Sequence, residues 1–96
     1  MAYNKLSPYR TTVETDEQGT HVTYVSTRIV SWDANIITLR TDGWDTVTTR
    51  RKMNQASNQF SLGFRIYRRK GVTYVRTPHG DAFPLSDSFE MARANA

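Results

Sequence analysis

Cysteine is absent from this chain of 96 residues, which excludes disulfides, thiolate nucleophiles and cysteine-based zinc sites. Two histidines alone make a poor ligand set, so neither a metal nor a cofactor is expected. No apolar run approaches the ~20 residues needed to cross a bilayer. The opening Met-Ala-Tyr-Asn-Lys-Leu lacks the apolar stretch of a secretory signal, so a cytoplasm is the expected compartment. Glycine-rich phosphate loops, a nucleophile elbow and the His-Glu-x-x-His zinc motif are missing too, and no enzyme activity is expected. The most informative shortage is of acid: no carboxylate occurs between Asp45 and Asp81.

What fills that acid-free interval is positive charge. Eight of the 13 Lys and Arg fall there, and the rest of the chain sets five against nine Asp and Glu. Segregation of this kind marks a surface that meets something anionic. With 38% apolar and 23% charged residues, the composition is that of one folded domain over residues 1–96. A membrane-surface helix would set Lys and Arg opposite several Leu, Phe or Trp. The central helix expected here is short and rich in amides, so membrane binding is not expected.

The pattern predicts an α+β fold: a twisted antiparallel sheet in the order β-β-β-α-β-β-β, with the helix packed across one face. A small closed barrel is the alternative. Residues 9–15 read as a strand ended by the turn residues Asp16-Glu17-Gln18-Gly19. Residues 20–32 read as one long strand, and residues 36–41 as another whose edge offers pairing to a second copy. Val47 reads as part of a short further strand. Thr48 or Thr49 is expected to cap a helix over residues 50–59, with Met53, Ala56 and Phe60 on its inner face. Residues 64–68 and 72–77 form a hairpin around Lys70-Gly71, followed by a short edge strand over 82–85. Asp87-Ser88-Phe89-Glu90 reads as a capping box opening a last short helix or tail.

A two-residue turn at Lys70-Gly71 sets Arg69 opposite Val72, Tyr67 opposite Tyr74 and Arg65 opposite Arg76. One face then alternates Arg65, Tyr67, Arg69, Tyr74 and Arg76, while Phe64, Ile66 and Val75 take the core side. Tyrosines between arginines offer stacking surfaces beside phosphate-binding cations. A solvated face, with Arg stems lying over the rings, is the plain alternative. Thr48, Thr49, Arg50, Arg51 and Lys52 form a second candidate anion site at the helix start, where cations oppose the dipole. Asn54, Gln55, Asn58 and Gln59 pair with nearby backbone or read base edges. His21 and His79 are expected to be structural or exposed.

Gly43-Trp44, Thr48-Thr49-Arg50, Met53-Asn54-Gln55, Phe60 and Phe64-Arg65-Ile66-Tyr67 follow one another in an order that resembles a family of short bacteriophage and prophage proteins with no assigned activity. The resemblance covers roughly residues 43–76. It implies a phage origin and action inside an infected or prophage-bearing bacterium. Two functions follow. In the first, the protein engages nucleic acid through Arg50, Arg51, Lys52, Arg65, Arg69, Lys70 and Arg76, with Tyr67 and Tyr74 stacking on bases. In the second, it inhibits a host defence or nucleic-acid-processing protein, with Trp44 and the tyrosines as anchors. A homodimer is the further partner considered.

Overall fold

A computed structural model of the protein describes residues 8–43 and 45–94. Four strands, β1 (Thr11–Asp16), β2 (Gly19–Tyr24), β3 (Thr27–Trp32) and β4 (Ile36–Arg40), precede helix α1 (Val47–Gln59). Four more follow: β5 (Arg65–Arg69), β6 (Val72–Arg76), β7 (Ala82–Pro84) and β8 (Ser88–Ala92). The class is α+β with antiparallel strands and one central helix, as expected. The strands form two sheets, β1-β2-β3-β4-β8 and β5-β6-β7, and neither closes into a barrel.

The strand count exceeds the expected six for two physical reasons. Residues 20–32 do not run straight: Tyr24 pairs with Thr27 across a two-residue turn at Val25-Ser26. Val25 takes a left-handed φ of 59° there, a conformation that β-branched residues rarely adopt. Its side chain is 58% exposed, so nothing in the pattern of buried residues announces the turn. The second departure is the capping-box reading at residues 87–90. Ser88–Ala92 is strand β8, with Phe89 opposite Leu39 and Met91 opposite Ile37. Pairing with β4 and burial of Met91 outweigh the local helix signal. The same pairing corrects the exposed edge foreseen at residues 36–41, because β4 lies between β3 and β8.

Helix α1 begins earlier than its spacing suggests. Thr46, not Thr48 or Thr49, is the N-cap: its Oγ1 accepts from the Thr49 amide at 3.1 Å. Val47 is therefore the first helical residue and not a strand residue. Satisfying an otherwise orphaned amide in this way is worth ~1 kcal/mol. At the other end, Phe60 is the C-cap, Ser61 takes φ 55° and the Leu62 amide donates to the Ser57 carbonyl at 2.9 Å. This is a Schellman closure with serine in the position glycine prefers.

One core joins both sheets. Val22, Ile29, Val30, Ile37, Leu39 and Met91 come from the first sheet, and Ile66 and Val75 from the second. Met53 and Ala56 of α1, with Leu62 and Phe64 of the following loop, fill the space between them. Each of these side chains apart from Ala56 contributes roughly 1.5–3 kcal/mol if fully buried. Two ring contacts sit at the margins: Trp32 against Phe60 at 4.9 Å and Phe83 against Phe89 at 5.6 Å.

Candidate nucleic-acid interface

The β5–β6 hairpin has the register its turn chemistry predicts. Arg65 lies opposite Arg76, Tyr67 opposite Tyr74, and Arg69 opposite Val72. Lys70 and Gly71 occupy the turn with φ of 53° and 80°, the double left-handed geometry that matches the twist of a hairpin. Strand alternation then sends Phe64, Ile66 and Val75 into the core, where they are buried. Arg65, Arg69, Lys70 and Arg76 are left exposed.

On this outer face the Tyr67 and Tyr74 rings stack at 5.6 Å with an interplanar angle of 19°. Both are half-buried, so an aromatic surface sits in a frame of cations. Arg65 and Arg76 are directly opposed like charges, an arrangement that costs stability until an anion lies between them. Among the described residues, none of Arg65, Arg69, Lys70 and Arg76 forms an ion pair with a carboxylate. Arg76 Nη1 donates to the Gly80 carbonyl at 3.4 Å.

The second cation cluster does not join this face as a unit. Arg50 is tied to Asp45, with Nη1 2.6 Å from Oδ1 and 3.1 Å from the backbone carbonyl. Asp45 also accepts from Thr73 Oγ1 at 2.6 Å, linking the start of α1 to β6. Partial burial pushes the Asp45 carboxyl up. The Thr73 and Arg50 hydrogen bonds and the charges of Arg50 and Arg68 outweigh it and hold the group below the ordinary range. Lys52 is buried, with Nζ 5.1 Å above the Tyr24 ring, and desolvation lowers its pKa. Arg51 alone of the three is exposed. The Thr49 hydroxyl is buried and accepts from Thr46 at 3.1 Å. Trp44 lies outside the described residues.

The burial of Lys52 had a sequence signal that pointed the right way. Thr49, Lys52, Met53 and Ala56 fall at i, i+3, i+4 and i+7, the stripe a helix turns inward.

Asn54 and the two histidines have local hydrogen-bond partners. Asn54 grips the outer edge of β5, donating from Nδ2 to the Ile66 carbonyl at 2.8 Å and accepting the Ile66 amide at 2.7 Å. The Ser57 hydroxyl donates to the Phe64 carbonyl at 2.7 Å. His21 is buried between Asp16, 3.0 Å from Nε2, and Ser31, 2.9 Å from Nδ1. His79 is exposed, its Nε2 3.2 Å from the Arg93 carbonyl. Among the described residues no cluster of three or more potential ligands could hold a metal ion.

The family model of the Kyanoviridae Gp96 protein matches residues 1–92, which takes in both sheets, the helix and the hairpin. The chain belongs to this phage protein family. No curated protein and no solved structure matches it. The phage character implied by the sequence words of residues 43–76 therefore holds for nearly the whole chain. Among the described residues of this Gp96 family member, no helix is long and apolar enough to cross a membrane.

Proposed function

We propose that this protein binds single-stranded nucleic acid on the outer face of β5–β6. The supporting observation is the Tyr67–Tyr74 stack set among four exposed cations, Arg65, Arg69, Lys70 and Arg76, that meet no carboxylate among the described residues. Phosphates supply a salt-dependent attraction to the cations, and bases stack on the rings for roughly 1–3 kcal/mol each. Duplex DNA keeps its base faces stacked inside and gives the tyrosines little to hold, so single strands bind preferentially. The test is fluorescence anisotropy with labelled single- and double-stranded oligonucleotides across a salt titration. Tight binding at low salt that weakens steeply with salt supports the reading; no binding at low salt ends it.

A second reading makes the same face a docking surface for a host defence or nucleic-acid-processing protein. It draws on Val72, which is 44% exposed on the face shared with Tyr74, an apolar contact that suits a protein partner. A pull-down from nuclease-treated host lysate separates the two. A retained protein favours the inhibitor, and loss of all partners favours nucleic acid.

A further inference from the structure

A cleft of about 800 Å³ runs between the C-terminal half of α1 and the start of β5. Asn58, Ser61, Phe64 and Arg65 are among the residues that line it. Arg65 also belongs to the Arg–Tyr face, two residues from Tyr67 on the same side of β5. The cleft and the face are thus continuous through one guanidinium. The volume falls within the ~300–1,000 Å³ typical of small-molecule sites.

We infer that this cleft seats one nucleobase of the strand carried by the Arg–Tyr face, an assignment that rests on the nucleic-acid reading above. Two observations choose a base over a peptide segment. Three of the backbone groups that an added β-strand would need beside the cleft are already used: Asn54 holds both polar groups of Ile66, and Ser57 holds the Phe64 carbonyl. An occupant is therefore recognised by side chains, not by a backbone ladder. Those side chains are an exposed hydroxyl at Ser61 and a planar guanidinium at Arg65, beside the exposed helix position Asn58. A hydroxyl donates to or accepts from the edge of a base, and guanidinium planes stack on bases.

The cleft is also built in advance. The Ser57 carbonyl holds the Leu62 amide at 2.9 Å, and Leu62 and Phe64 are buried. The wall from residue 60 to residue 64 is thereby fixed at both ends, and little ordering is needed on binding. One cation in a polar cleft is too little to track a phosphate chain. It is enough to orient a single ring.

The test compares an oligonucleotide with an abasic strand of the same length and phosphate count. Asn58→Trp fills the cleft from an exposed helix position. The wild-type protein is expected to prefer the base-bearing strand by roughly 5- to 150-fold per seated base. Asn58→Trp is expected to lose about tenfold on the base-bearing strand while its affinity for the abasic strand stays put. A second measurement needs no variant: adenosine monophosphate should shift the backbone amide resonances of residues 61–63, away from the phosphate-binding Arg65, and ribose 5-phosphate should not. Unchanged binding by Asn58→Trp, together with unmoved resonances, overturns the cleft assignment and leaves binding on the tyrosine face intact. Failure of the wild-type protein to bind any strand overturns the underlying reading as well.

Discussion

Asn54 acts as a surrogate strand for Ile66. Its side-chain amide supplies one donor and one acceptor to the Ile66 backbone, at 2.8 and 2.7 Å, as a neighbouring β-strand would. β5 is a terminal strand of its sheet, and open edges of this kind invite pairing with other chains. The helix thus closes the flank of the hairpin that carries the candidate site.

Asn54→Ala is expected to destabilise the protein by about 2 kcal/mol, since two backbone groups lose their partners at ~1 kcal/mol each. The melting temperature should fall by ~8–16 °C for a domain of this size. Urea denaturation measures the first effect. Light scattering at raised concentration should show added self-association through the uncovered strand. A variant as stable as wild type would mean that water replaces the amide without loss.

The two cation clusters should behave differently in binding. Arg65→Ala and Arg69→Ala are each expected to weaken oligonucleotide binding and to reduce the slope of log affinity against log salt by ~0.7–0.9. Lys52→Met should leave that slope unchanged, because the Lys52 amine is buried against Tyr24. A salt slope that falls with Lys52→Met would place this residue at the interface after all.

Much of the hairpin was legible beforehand because its information is local. Lys70-Gly71 fixes the turn, and strict alternation on both sides fixes the faces, so register and core side follow from the residues alone. The inner face of α1 was readable from Met53 and Ala56 in the same way. Val25-Ser26 was not, because a valine in left-handed backbone is held there by the strands on either side of it, not by its own preference. Strand β8 was hidden for the opposite reason. Asp87 to Glu90 carries a good local helix signal, and only the distant β4 overrides it. The cations misled in part, since charge counted along the chain says nothing of whether Arg50 meets Asp45 or Lys52 turns inward.

Stability should fall in acid, with a sign set by Asp45. Its pKa is depressed in the folded protein, so its contribution is present above the unfolded value of about 4 and is lost as pH drops through the folded value. Asp16, held down first by the His21 hydrogen bond, and Asp33, held down by the amides of Asn35 and Ile36, shift in the same direction. Urea midpoints measured from about pH 6 to about pH 2 should decline. The decline should be shallower in Asp45→Asn. An equally steep decline in that variant would show that other carboxylates dominate.

Gly19 and Gly71 make a matched pair for backbone strain. Both have positive φ, 136° and 80°, but a Cβ at Gly19 would lie 2.1 Å from the Trp32 carbonyl oxygen, whereas one at Gly71 meets nothing within 4 Å. Gly71→Ala is expected to cost about 1–2 kcal/mol from left-handed strain alone. Gly19→Ala should exceed it and reach ~3 kcal/mol or more, because the start of β2 must move off β3. Equal costs from chemical denaturation would show that the sheet yields there easily.

The union of β4 with β8 has a kinetic consequence. Between Ile37 and its partner Met91 lie the helix and all of the second sheet. Bringing such distant segments together loses chain entropy before any contact repays it, and topologies of this kind fold slowly, on the ms–s scale. Until β8 arrives, the edge of β4 at Ile37 and Leu39 stays open, and an open strand edge can pair with another chain.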